Sequence, residues 1–233
     1  MICNLAGAPE AAFPTDKLTA GIEATMASAE HAQRGSALTT AARADRERLV
    51  KLLVEWVEEH STVFADILHS KGWTGYEIAA ELVGLAVAAW ESTAAAVTSA
   101  VTLGIGTTPT DTEIDELLRL YPPSWLIARE LSGDEPWGQA GELAVVSPWL
   151  LHRNETAWQH PGEFDPTRFA GHTGAEAYMP FGSGPRRCPA GRYANTQIAV
   201  ALGLFGGQQA RMGKPVLLAR RAAALVACDS DRT

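Results

Sequence analysis

One segment limits the fold more than any other. Thr74-Gly-Tyr-Glu77 reads as a capping box, and the helix it opens runs from about Gly75 to Leu103. From Leu82 to Ile105 that helix is apolar nearly all round, broken only by Glu91 and loaded with Ala, Ser and Thr. A membrane span needs roughly 20 strongly apolar residues, so this small-residue pattern is the signature of a buried core helix. It is expected to run through the middle of the molecule.

The remaining periodicity supplies cover for it. Leu49, Leu52, Leu53, Trp56 and Val57 recur at helical spacing within 45–60, with Arg46, Lys51, Glu55 and Glu58 opposite them. A shorter helix is expected over Thr62–Ser70, closed by Gly72, and another over Asp16–Gln33 before a loop at Arg34-Gly35-Ser36. Thr110-Asp-Thr-Glu113 is a second capping box, whose helix must stop at Pro122-Pro123. Short strands are expected at Trp125–Ala128 and Leu143–Ser147, then a Pro/Gly/Asn-rich stretch from Asn154 to Pro185. A last helix follows Cys188 and ends near Gly206-Gly207. No internal repeat or linker stands out, so the expectation is a single domain over 1–233, mainly α with a small β part.

Charge and cysteines narrow the function classes. Nineteen Lys and Arg against 27 Asp and Glu give a net charge of −8. That argues against non-specific binding to nucleic acid or to anionic membrane surfaces. Cys3, Cys188 and Cys228 are an odd, widely spaced set with no CxxC, as in a reducing compartment. Met1–Leu5 has no basic run and acidic Glu10 and Asp16 follow, so no secretory signal is expected and the location expected is cytoplasmic.

The richest motif is Phe181-Gly-Ser-Gly-Pro-Arg-Arg-Cys-Pro-Ala190. A glycine-rich loop delivers one cysteine to the start of a helix beside Arg186 and Arg187, an electropositive setting that suits an anionic sulfur. It is not a dinucleotide fingerprint, because Arg187 stands where the third glycine belongs. Phe181, Gly184, Arg186, Cys188 and Ala190 fill every slot of the cysteine-ligand loop of the cytochrome P-450 superfamily, and the sequence resembles that family here. Three further segments are similar to it in the same order. Glu116-Leu-Leu-Arg119 resembles its Glu-x-x-Arg helix, Pro161–Phe169 its meander, with Arg168 completing a triad, and Ala88–Thr93 its oxygen-activation segment.

The resemblance implies a cytochrome P-450-like helical fold and haem b, iron protoporphyrin IX, as cofactor. Cys188 would be the axial iron ligand. Arg186 and Arg129 would hold the haem propionates, and Phe181 would shield the sulfur. Pro189 has no N–H, leaving the amides of Ala190 and Gly191 nearby. Glu91 and Ser92 would be the catalytic pair for proton delivery, Ser92 in a slot usually held by threonine. Ala89 replaces a usual glycine, and Trp90, Leu126 and Ile127 are candidate pocket walls or core residues. Glu116, Arg119 and Arg168 would form a structural lock behind the cysteine loop.

The resemblance covers about 45–225 well and 1–44 weakly, so the chain reads as a C-terminal portion of the family fold, truncated at its N-terminus and short between Thr93 and Glu116. Such a portion is expected to expose apolar faces on the long helix and on the helix after Cys188, which a partner chain or self-association would cover. The leading expectation is a soluble, bacterial-type monooxygenase that puts one atom of O2 into a small apolar substrate with electrons from ferredoxin and its reductase. A peroxide-driven haem-thiolate enzyme, a truncated and catalytically impaired portion that is non-enzymatic or needs a partner chain, and an α domain with a reactive cysteine remain as alternatives.

Overall fold

The computed structural model describes residues 16–24, 40–60, 62–170 and 176–207. They are mainly helical, with one two-stranded sheet, and fall into two compact units divided between Trp90 and Glu91. The sequence reading of a single domain is silent on that division. Arg34-Gly35-Ser36, Cys3, Cys228 and residues 25–33 of the first expected helix lie outside the described residues.

The first unit holds helix α1 over residues 16–24, α2 (Thr40–Glu59), α3 (Val63–Ser70) and the start of α4 (Gly75–Thr102). Four of the five stripe residues of α2, Leu49, Leu53, Trp56 and Val57, are buried together with Val50 of the same helix, Leu18 and Ile22 of α1 and Ile78, Leu82 and Ala86 of α4, while Leu52 is partly buried against them. Each fully buried Leu or Ile stabilises by about 1.5–3 kcal/mol. Thr62 caps α3 by accepting from the Ala65 amide at 3.1 Å, and Gly72, at φ +86°, ends it in a conformation that favours glycine. The capping box of α4 is formed: Thr74 N donates to Glu77 Oε2 at 2.8 Å and Glu77 N to Thr74 Oγ1 at 3.3 Å.

The long helix departs from the sequence reading. It is long and apolar enough to cross a membrane by length and composition, but only 28% of its most apolar window is buried. Ile78, Ala79, Leu82, Val83 and Ala86 form a buried stripe, while Leu85 is 37% and Trp90 42% exposed. Helical periodicity turns one stripe toward its neighbours, so an all-round apolar helix is not an all-round buried one. Further on, Ala96, Thr98, Ser99 and Ala100 are buried. The Ser99 hydroxyl donates to Ala95 O at 2.9 Å, which lets a polar group sit in that core.

The second unit is built on α5 (Asp111–Leu120), β1 (Ile127–Glu130), β2 (Leu143–Val146), α6 (Pro148–Leu151) and α7 (Gly191–Phe205). Thr110 and Glu113 complete the α5 capping box. Ile114, Leu117 and Leu118 of α5 pack with Ile198 and Leu202 of α7 and Ile105. The end of α7 is tied down by Gly207 N donating to Ile105 O at 3.3 Å, and a Cβ on Gly206 would stand 2.6 Å from the Gly106 carbonyl. Strands β1 and β2 are antiparallel, with Ile127 opposite Val146 and Glu130 opposite Leu143. The first strand starts two residues later than its apolar run suggests, and ahead of it the Trp125 carbonyl accepts from Ser147 Oγ at 2.9 Å. Outward-facing apolar side chains stand on α7, where Val200, Leu204 and Phe205 are exposed.

Candidate haem-thiolate site

The site begins at the buried end of α5. Glu116 and Arg119 sit on one face at i and i+3, and both are fully buried. Arg119 Nε donates to Glu116 Oε2 at 2.6 Å and Nη2 to Oε1 at 2.8 Å, a bidentate pair. The remaining guanidinium hydrogens go to backbone carbonyls: Nη1 to His152 at 2.7 Å and Pro161 at 2.9 Å, and Nη2 to Glu163 at 3.1 Å. Arg168, on the turn Pro166–Phe169, donates to Glu116 Oε1 at 3.2 Å, and its other nitrogens reach the carbonyls of Gln159 and His160. The Asp165 amide also donates to Glu116 Oε1, at 2.9 Å. The structure therefore brings Glu116, Arg119 and Arg168 together, and the three fasten segment 152–168 onto α5. A buried charge cluster stands only when every member is satisfied, and here the carboxylate takes four donors.

His152 belongs to this cluster and went unremarked in the sequence. It has no exposed surface. Met179 N donates to its Nε2 at 2.9 Å, so Nε2 is unprotonated and Nδ1–H donates to the Arg119 carbonyl at 2.9 Å. Burial, with the charges of Arg119 and Arg153 adding to it, pushes the imidazole pKa down to about 4. Tyr178, beside it at 5.5 Å between ring centroids, donates to Asp115 Oδ1 at 3.0 Å, and burial raises its phenol pKa. Burial likewise raises the Asp115 carboxyl pKa. A lone histidine on a short loop gives no sequence signal of this role, since both its partners are backbone groups.

From Met179 the chain enters the cysteine loop. Gly182 N donates to Met179 O at 3.1 Å, Arg187 N to Gly184 O at 3.1 Å, and Cys188 N to Phe181 O at 2.9 Å. Gly182 (φ +74°) and Gly184 (φ +67°) take left-handed conformations that side chains resist, which explains two glycines in four residues. Phe181 packs against the α7 core, and a Cβ on Gly191 would stand 3.4 Å from its ring. Cys188 is exposed. A Cβ on Gly182 would stand 3.9 Å from Ile127 Cδ1, so β1 lies beside this loop.

Arg129, on β1, is exposed and donates to its neighbour's carbonyl, Ala128 O, at 2.7 Å. Arg186 is exposed in the turn Gly184–Arg186. Among the described residues the ion pairs are Arg48–Asp45, Arg119–Glu116 and Arg168–Glu116, so neither Arg129 nor Arg186 is committed to a described carboxylate. An exposed thiol on a closed loop, with two uncommitted guanidiniums in the same unit, fits a group carrying a metal and two carboxylates. Glu91 and Ser92 are half-buried on α4. Being adjacent, they point about 100° apart round the helix. Of the proposed pocket walls, Trp90 and Leu126 are exposed and Ile127 is half-buried.

Residues 109–205 match the family model described as Cytochrome P450. Cytochrome P450 4X1 of Rattus norvegicus is 41% identical over 100 residues, 39% of this chain and 20% of that protein. Cyclooctatin synthase of Streptomyces melanosporofaciens is 32% identical over 101 residues, 40% of this chain and 22% of that one. The chain thus spans about a fifth of the length of these curated relatives. Among solved structures, the cytochrome P450 CYP109B1 of Bacillus subtilis is similar with a TM-score of 0.73 at 19% identity, over 95% of this chain and 66% of that chain. CYP175A1 of Thermus thermophilus follows the same fold at a TM-score of 0.67 and 22% identity, over 88% and 58%. Helix α5, the meander and the cysteine loop all lie inside residues 109–205, the part of the chain that is cytochrome P450-like.

Proposed function

We propose that this chain carries the iron-ligand side of a haem-thiolate monooxygenase. The observation that supports it most is the exposed Cys188 at the end of a closed glycine loop, braced from behind by a fully satisfied charge cluster. In this reading Cys188 binds iron through sulfur, Arg186 and Arg129 hold the two propionates by charge-assisted hydrogen bonds, and Phe181 shields the sulfur from water. When bound, haem b supplies the centre at which dioxygen is activated. Glu91 and Ser92 carry protons toward that centre, Ser92 through a hydroxyl with freer rotation than threonine's.

The substrate class proposed is a small apolar molecule, with electrons from a ferredoxin-type donor, in the cytoplasm. Turnover in isotopically labelled dioxygen tests this. One labelled atom in the product, lost in Cys188→Ala, supports it; absence of label from every product contradicts it. Ser92→Thr should raise the product formed per NADPH consumed, and unchanged coupling would remove Ser92 from the proton path. A peroxide-driven enzyme is the second reading, favoured by serine in that slot: it predicts product with hydrogen peroxide and none with ferredoxin and reductase.

A further inference from the structure

We propose that His152 is a positioning residue for the Cys188 loop, transmitting the rigidity of the buried Glu116–Arg119–Arg168 cluster to the sulfur. The proposal deepens the haem-thiolate reading and rests on it for its functional meaning. Its geometry is independent of that reading.

The His152 imidazole has two described hydrogen bonds, and they point to different parts of the unit. Nδ1–H donates to the carbonyl of Arg119, the residue whose side chain holds Glu116. Nε2 accepts from the amide of Met179. The same residue's own carbonyl accepts from Arg119 Nη1 at 2.7 Å, so His152 is fixed to residue 119 at both ends. Met179 is where the loop begins: its carbonyl accepts from Gly182 N, and Phe181, two residues on, accepts from Cys188 N. A continuous chain of hydrogen bonds thus runs from the cluster through the imidazole to the segment that closes on the cysteine.

Nothing else described does this work from the α5 side at Met179. Tyr178 reaches α5 through Asp115, but by a side chain, which leaves the loop's backbone to His152. The two glycines with positive φ make the loop conformationally permissive. A loop of that kind holds a ligand atom in place only if its start is anchored, and a rigid aromatic ring packed without exposed surface is a firm anchor.

Two substitutions separate the arms in the full chain. His152→Gln puts an amide oxygen near the place of Nε2 and keeps an acceptor for Met179 N. His152→Asn keeps a donor near Nδ1 for the Arg119 carbonyl but stops short of Met179. Hydrogen–deuterium exchange without haem reads the result peptide by peptide. Loss of one hydrogen bond should speed exchange over 179–188 about tenfold in His152→Asn, with 111–120 as in wild type. His152→Gln keeps the Met179 bond and, through its own carbonyl, the tie to Arg119 Nη1, so it should hold exchange over 179–188 near wild type, which a merely space-filling role would not produce. Hemin affinity should fall by a similar factor in His152→Asn and recover in His152→Gln. Unchanged exchange over 179–188 in His152→Asn overturns the proposal. So does equal acceleration in both variants, or acceleration that spreads over 111–120. A wild-type chain that binds no hemin overturns the haem-thiolate reading while the exchange results still decide the role of His152.

Discussion

The cluster on α5 and the loop bearing Cys188 lie in one compact unit and both are arginine-rich, yet they are opposites. Arg119 is fully buried and spends its hydrogens on one carboxylate and three carbonyls. Arg186 and Arg129 are exposed and paired with no described carboxylate. The first pattern is that of charges serving the fold, since burial without partners costs several kcal/mol. The second is that of charges available to a ligand. Sequence motifs of equal visibility therefore do different jobs, and hydrogen-bond completeness tells them apart.

Substitutions should split along this line. Arg119→Leu leaves Glu116 buried with its main partner gone, and a loss of about 3–5 kcal/mol is expected; urea unfolding with the midpoint barely moved would remove the cluster from its structural role. Acid should act next. The folded His152 pKa, about 4, lies below the ordinary 6.5, so between those values the unfolded chain binds a proton that the folded chain refuses. The stability from this group is complete above about pH 6.5 and drains away as pH falls toward 4, by about 3 kcal/mol. Urea titrations across that range, in wild type and His152→Gln, should show the slope in the first and a shallower one in the second.

Changes in the loop should be milder for the fold and harsher for the ligand. Gly184→Ala forces a side chain into φ +67° and should cost about 1–2 kcal/mol, together with weaker hemin binding. Cys188→Ala, at an exposed position, should leave the urea midpoint unchanged and abolish thiolate ligation; a large drop in the midpoint would mean that the loop is structural after all.

Both capping boxes and the α2 stripe were legible because their partners sit three or four residues away. Glu116 with Arg119 was reached through the family resemblance, since a Glu and an Arg three apart occur on any solvated helix, and so was Arg168, 52 residues from Glu116. His152 escaped because its partners are the main chain at 119 and 179, which leave no side-chain pattern. The exposure along α4 escaped too: hydropathy reports how much of a helix is apolar, not how many neighbours arrive to cover it. Glu91 and Ser92, half-buried on α4, were likewise reached through the family resemblance and not through spacing.

The most direct measurement is the difference spectrum of the reduced, hemin-loaded chain with carbon monoxide. The account predicts a thiolate-type Soret band in the wild type and its loss in Cys188→Ala at unchanged stability. A band of the nitrogen-ligated type, or a thiolate band that survives the substitution, would contradict it.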